Sequence, residues 1–187
     1  MQGIPGVTTV DAAEYGVRCA YCESAIRHEG HIEHFRRKNP QHFPELTFVW
    51  TNLFLACGSQ SHCGHFKDRG LAPAYDPAHL IKPDEHDPEE FLHFHSSGEV
   101  RSKAGLTALD DQRRASETIR VFGLDAPALS GERANVTSIY KKAILGELNE
   151  IASWQPQERE DYLKSEIQAT QWEPYATTIK HFLMKHV

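Results

Sequence analysis

The chain has 187 residues, of which 40% are hydrophobic and 25% charged, values that are ordinary for a soluble globular protein with a buried core. The formal net charge of −6 argues weakly against a nucleic-acid partner. No apolar run is long enough to cross a membrane, and the first residues lack the basic and apolar regions of a signal peptide, so we expect a cytoplasmic protein without a membrane partner.

The four cysteines form two close pairs in the first third of the chain. Two residues separate Cys19 from Cys22, and five separate Cys57 from Cys63. Tetrahedral zinc binds two such thiolate pairs from separate segments, so the pattern predicts one structural zinc site with no open coordination position. Two alternatives stay open, namely a pair of disulfides and a redox pair formed by the first two cysteines.

Polar residues of interest lie between the two cysteine pairs. The alternation of residues 30–35 predicts a strand, with Glu33 on the face opposite His34. A proline-containing loop follows at 39–44, and an aromatic-rich run over 46–55 contains Asn52. A short helix is expected near 62–69, after the second cysteine pair.

These residue types suit phosphodiester hydrolysis. That reaction needs a base to activate water, a divalent ion to stabilise negative charge, and a group that orients the base. A histidine such as His34 suits the base, and a carboxylate with a second ligand suits Mg²⁺ or Mn²⁺. Asn52 is a candidate to fix the histidine ring through its side-chain or backbone carbonyl.

The charge is unevenly distributed along the chain. Residues 1–75 carry seven Lys/Arg and seven Asp/Glu, whereas residues 76–187 carry thirteen and nineteen, which supplies the whole −6. The neutral part contains a basic cluster of Arg36, Arg37 and Lys38. Local positive potential of this kind favours phosphate binding, although charge alone favours ordinary solvated surface residues.

The second part begins with a proline-rich, acidic stretch at 71–90 that is typical of a solvated linker. Residues 91–101 predict a hairpin with a glycine turn. Apolar spacing then predicts four helices, at 106–122, 131–154, 157–170 and 173–186, the first of which stops at Gly123.

The combined motifs resemble the HNH (ββα-metal) nucleases with a zinc knuckle. More closely, the stretch Ile-Glu-His-Phe-Arg-Arg-Lys is similar to that of the PtuB-type HNH proteins of Septu and retron anti-phage systems, which reads Ile-Glu-His-Phe-Arg-Pro-Lys. The resemblance rests on spaced elements, which are Cys19-x-x-Cys22, Glu33-His34, Asn52-Leu53 with Cys57, and Cys63 with Lys67. It implies an α+β fold, with a zinc-stapled ββα-metal finger over 1–75 followed by a hairpin and a mainly helical extension over 76–187.

The resemblance also implies roles for individual residues. His34 would be the general base, Asn52 would orient it, and Glu33 with His65 would bind the catalytic Mg²⁺ or Mn²⁺. Many family members carry Asn or His directly after the last zinc cysteine, where this chain has Gly64. The expected nucleic-acid contacts are Arg36, Arg37, Lys38 and Lys67.

The resemblance implies an effector nuclease that acts on nucleic acid, with DNA favoured over RNA, alongside an ABC-type ATPase partner. A second hypothesis is a catalytically inactive, zinc-stapled module for nucleic-acid binding or assembly, and Gly64 is its best support.

Overall fold

A computed structural model describes residues 17–27, 29–69 and 74–185, without the side chains of 143–150 and 152. It contains three two-stranded antiparallel sheets and five α-helices within those residues. The strands are β1 (Val17–Arg18), β2 (Ala25–Ile26), β3 (Gly30–His34), β4 (Leu53–Cys57), β5 (Leu92–Phe94) and β6 (Val100–Ser102). The helices are α1 (Cys63–Lys67), α2 (Leu109–Phe122), α3 (Pro127–Ser153), α4 (Pro156–Ala169) and α5 (Ala176–Met184). The mixed class is as expected. Residues 1–16 and 70–73 of the finger lie outside the described residues.

The hairpin of β3 and β4 is the centre of the finger. The register pairs Gly30 with Cys57 and His34 with Leu53, which brings the second cysteine pair back to the start of β3. Successive residues of a strand point to opposite faces, and Glu33 is accordingly buried while Ile32 is exposed. The strand predicted over 30–35 is present as β3, and the short helix predicted near 62–69 is present as α1, so both predictions are confirmed.

Local signals explain most of the remaining elements. The predicted hairpin forms as β5 and β6, and its turn contains Gly98 at a positive φ of 85°. Helix α2 ends before Gly123, whose φ of 58° is the left-handed conformation that terminates helices. Helix α3 begins at Pro127, four residues before the predicted start, because proline suits the first turn of a helix.

One apolar cluster joins the finger to the second part of the chain. Tyr21 of the finger stacks on Phe122 of α2, with 4.3 Å between ring centroids. Leu80 and Ile81 are buried in the same cluster, although they belong to the stretch expected to be a solvated linker. The backbone amide of Ile81 donates to Thr118 Oγ1 at 2.8 Å, so this stretch packs against α2. The acidic composition of this stretch does not reveal that these two apolar residues are buried.

The last helices return to the first cysteine pair. Glu23 accepts hydrogen bonds from the backbone amide of Thr177, at 3.0 Å, and from its hydroxyl, at 2.6 Å, at the start of α5. Arg18 donates to the backbone carbonyls of Gln171 and Glu173. Among the described helices, none combines the length and apolar character that crossing a membrane requires.

Candidate functional site

The four cysteines meet at one buried site. Their sulfur atoms all lie within 4.8 Å of one another, with 3.7 Å between Cys19 and Cys63 and 4.0 Å between Cys22 and Cys57. Four sulfurs at about 2.3 Å from a tetrahedral zinc ion are separated by about 3.8 Å. A disulfide needs about 2.0 Å, and all four thiols are free, so the disulfide alternative is wrong. The set fits a structural metal such as zinc.

Polar neighbours of the sulfurs support this reading. His62 is buried, with its Nδ1 at 3.2 Å from Cys63 Sγ and 3.7 Å from Cys57 Sγ. This burial cannot be read from the sequence, in which His62 is only a polar residue of the five-residue spacer between two cysteines. Hydrogen bonds to coordinated sulfurs are common in metal sites and stabilise the thiolate.

Crowding perturbs the thiols in opposite directions. Hydrogen bonds from Cys19 and Cys22 lower the pKa of Cys57, whereas burial raises the pKa of Cys63. A bound cation would favour the thiolate form at every position, because metal ligation requires deprotonated sulfur.

Beside this site, Glu33 forms a buried ion pair with Lys67. Glu33 Oε1 lies 2.6 Å from Lys67 Nζ, and the two side chains are 4% and 0% exposed. The same ammonium group donates to the backbone carbonyl of His34 at 2.9 Å and to Asp68 at 2.7 Å. Burial lowers the pKa of Lys67, but the negative charge of Glu33 raises it above its ordinary value overall. Lys67 therefore balances a buried carboxylate, which differs from the solvent-facing phosphate contact that we expected.

His31 completes this group and was missed from the sequence. Its Nε2 lies 3.5 Å from Glu33 Oε2, and its ring stacks on His65 at 3.9 Å between centroids. Neither ring nitrogen of His31 has a hydrogen-bond partner within the described part of the chain, and both are buried. The alternation of β3 contained the signal, because residues 31 and 33 share a face.

Gly64 provides the space in which these groups meet. A Cβ atom at this position would collide with the Glu33 carboxylate, at 2.7 Å from its Cδ, and would lie 2.9 Å from His31 Nε2. A larger residue at position 64 would have to displace these two buried side chains, so the glycine permits the close approach of β3 to α1.

His34 is held from the other side of the strand. Its Nε2 lies 3.0 Å from the backbone carbonyl of Thr47, and the side chain is half-buried. Asn52 was expected to hold this ring, but its side chain instead bonds the backbone of Arg36 and the carbonyl of Leu46. Its own carbonyl accepts from the Phe35 amide at 2.9 Å. Asn52 thus contacts the backbone at Leu46, directly before Thr47, and not the His34 ring itself.

The expected ligands of a catalytic ion are only partly brought together. His65 is half-buried and stacked on His31, which in turn lies beside Glu33. Among the described residues, the four cysteines form the one group of three or more Cys, His, Asp or Glu ligands close enough to share an ion. A catalytic ion at Glu33 and His65 stays a prediction.

The basic cluster divides into two kinds of side chain. Arg36 and Lys38 are exposed. Arg37 is half-buried, donates to Asp68 Oδ1 at 3.1 Å, and places its guanidinium 4.8 Å from the ring centroid of Tyr75. The Arg36 guanidinium lies 5.6 Å from the ring centroid of Phe43 and stays accessible to solvent, as does Lys38, whereas Arg37 binds the end of α1.

The fold and the site define a small α+β protein whose β-hairpin and short helix are joined at a four-cysteine centre. No family model matches the chain. Over 180 residues the chain is 28% identical to Septu protein PtuB of Bacillus mycoides (strain KBAB4). The match covers 82% of this chain and 59% of that protein, so the chain spans less than two thirds of its relative's length. This similarity supports a relationship to the Septu defence family.

Proposed function

We propose that this chain is a metal-dependent nuclease that hydrolyses phosphodiester bonds as part of an anti-phage defence system. The contact between His34 and Thr47 carries the proposal. A carbonyl only accepts hydrogen bonds, so Nε2 holds the proton and Nδ1 of the neutral ring is left as an acceptor. A fixed imidazole with an available nitrogen suits proton abstraction from an attacking water.

Groups on the opposite face of β3 would supply the other requirements of the reaction. In this proposal, Glu33 and His65 bind Mg²⁺ or Mn²⁺, and His31 lies between them. The ion would stabilise the charge that develops on the phosphate. Arg36 and Lys38, which are exposed, would bind the backbone of the nucleic acid.

The similarity to Septu protein PtuB supports the defence role. By the family resemblance, we extend the proposal to a DNA target and an ABC-type ATPase partner. The acidic second part of the chain is the candidate docking surface for that partner.

The test is cleavage of supercoiled plasmid with Mg²⁺ or Mn²⁺, with and without the proposed ABC-type ATPase partner. We expect His34→Ala to lower the cleavage rate by about 10²- to 10⁴-fold, the usual contribution of a general base. Melting temperature and zinc content should stay at wild-type values. His79→Ala, in the 3-10 turn Pro77–His79, is the matched control. Cleavage by the His34 variant at the wild-type rate rejects His34 as the base.

A specific observation also favours the inactive module. Glu33 is buried and already neutralised by Lys67, so it has less need of a cation. A wild-type protein that binds nucleic acid with its partner present but never cuts under any divalent ion would support this second candidate.

A further inference from the structure

The connection between β3 and β4 ends in an exposed apolar tip, formed by Phe48, Val49 and Trp50. Their exposed fractions are 93%, 39% and 45%. Large aromatic side chains normally contribute to a core, so consecutive exposed ones indicate a surface that another molecule covers.

The backbone of this aromatic tip is held on both sides. The amide of Val49 donates to the Leu46 carbonyl at 3.2 Å, and the amide of Asn52 donates to the Val49 carbonyl at 2.9 Å. Asn52 Nδ2 also donates to the Leu46 carbonyl at 3.2 Å. The rings are therefore presented on an ordered turn, which reduces the entropy lost on binding.

Two residues that flank the aromatic tip contact the candidate base and the basic segment. Thr47, directly before Phe48, holds His34 through its carbonyl. Asn52, two residues after the tip, bonds both the amide and the carbonyl of Arg36. The exposed rings of the tip are thus joined through Thr47 to the candidate base His34, and through Asn52 to the segment that carries the exposed Arg36.

A ligand that satisfies all of these groups must offer stacking faces and regularly spaced negative charge. Nucleic acids offer both, since bases stack on aromatic side chains while phosphates bind Arg and Lys. Apolar side chains are also known to insert between base steps. A neutral apolar protein surface would cover the rings but leave Arg36 and Lys38 unpaired.

We infer that the aromatic tip Phe48–Trp50 stacks on the bases of bound nucleic acid while Arg36 and Lys38 bind its phosphates. The inference rests on the proposed function for the position of the nucleic acid, but it concerns binding and not cleavage. In this inference, the aromatic tip binds bases that are unstacked or displaced from a regular duplex, close to His34 in the chain's fold.

The experiment measures the affinity of the full chain for a fluorescent single-stranded oligonucleotide and for an abasic strand of equal length, without added divalent ions. We expect the wild type to bind the strand with bases at least about tenfold more tightly, because an abasic strand has no bases to stack on the aromatic side chains. The double variant Phe48→Ala/Trp50→Ala should lose about tenfold on that strand and nothing on the abasic one. Leu109→Ala removes an apolar side chain on α2 that is 80% exposed, and this variant should bind like the wild type.

Equal affinity of wild type and double variant, or equal affinity for both strands, overturns the inference. So does a double variant that changes only the oligomeric state, since the tip would then cover protein. The plasmid assay separates this result from the proposed function. If the wild type prefers the strand with bases but never cuts, the proposed nuclease function is wrong and the stacking inference stands. If it cuts but shows no such preference, the stacking inference is wrong and the nuclease function stands.

Discussion

Lys67 Nζ lies 2.6 Å from Glu33 Oε1, and this buried pair joins the end of α1 to the inner face of β3. The cysteines join the same helix to β4, the partner strand of β3, so the pair and the metal site hold α1 against the same hairpin. Removal of one partner from a buried pair leaves an uncompensated charge, which is strongly destabilising.

The first prediction concerns that pair. Lys67→Met and Glu33→Gln should each lower the free energy of unfolding, Lys67→Met by about 3–5 kcal/mol because it leaves a carboxylate buried alone. The double variant should lose much less than the sum, as read from urea denaturation of all four proteins. Lys164→Met breaks an exposed pair with Glu160 and should leave stability unchanged. Strictly additive losses would show that the two charges do not depend on each other.

Two glycines give the second prediction. Gly64→Ala should destabilise the finger by about 1–3 kcal/mol, because the new Cβ meets the Glu33 carboxylate and His31. Gly131→Ala is the matched change in α3, where nothing lies within 4 Å of the added atom. It should be neutral or stabilise by about 0.5–1 kcal/mol, since alanine favours a helix. Thermal unfolding of both variants gives the comparison, and a Gly64 variant as stable as the wild type contradicts the close approach.

Sequence patterns identified what is local. The cysteine pairs, the strand at 30–35 and the hairpin that contains Gly98 each follow from spacing over a few residues. The partners of Glu33 and Asn52 could not be predicted, because they depend on how α1 and the loop at 46–50 cross β3. The burial of His62 and Lys67 could not be predicted for the same reason, since a polar residue gives no sign of burial when its partner is distant in sequence.

The third prediction tests the metal site. Cys19→Ser should abolish tight binding of about one zinc per chain and lower the melting temperature, because metal binding energy at a structural site is folding energy. Metal analysis of the purified protein and a thermal scan measure the two effects. Ser61→Ala, an exposed change between the last two cysteines, is the control and should retain both. Full zinc content in the Cys19 variant would exclude a four-thiolate centre.

The fourth prediction is a pH dependence at Glu89. Hydrogen bonds from His181 and Lys180 lower the pKa of this carboxyl to about 2, against the opposing effect of burial. Because the pKa is lowered on folding, the carboxylate stabilises the protein above its ordinary pKa of about 4.5 and loses that effect as the pH falls towards 2.

Since the carboxyl is partly exposed and screened, Glu89→Gln should lose on the order of 1 kcal/mol at pH 6 and about half of that at pH 3.5. Chemical denaturation of variant and wild type at both pH values measures the difference. Glu90→Gln, at the exposed neighbour, should show no such trend. A Glu89 variant whose deficit is the same at both pH values contradicts the interpretation.

The bonds from Thr177 to Glu23 tie the start of α5 to the first cysteine pair, across a sequence separation of 154 residues. All four cysteines leave the ribosome well before residue 177, so an ion can close the finger while the helices are still being made. The carboxylate of Glu23, one position after Cys22, then accepts the two hydrogen bonds that fix the start of α5. Loss of these two bonds would therefore act on the docking of α5 and leave the four thiols in place to hold a metal.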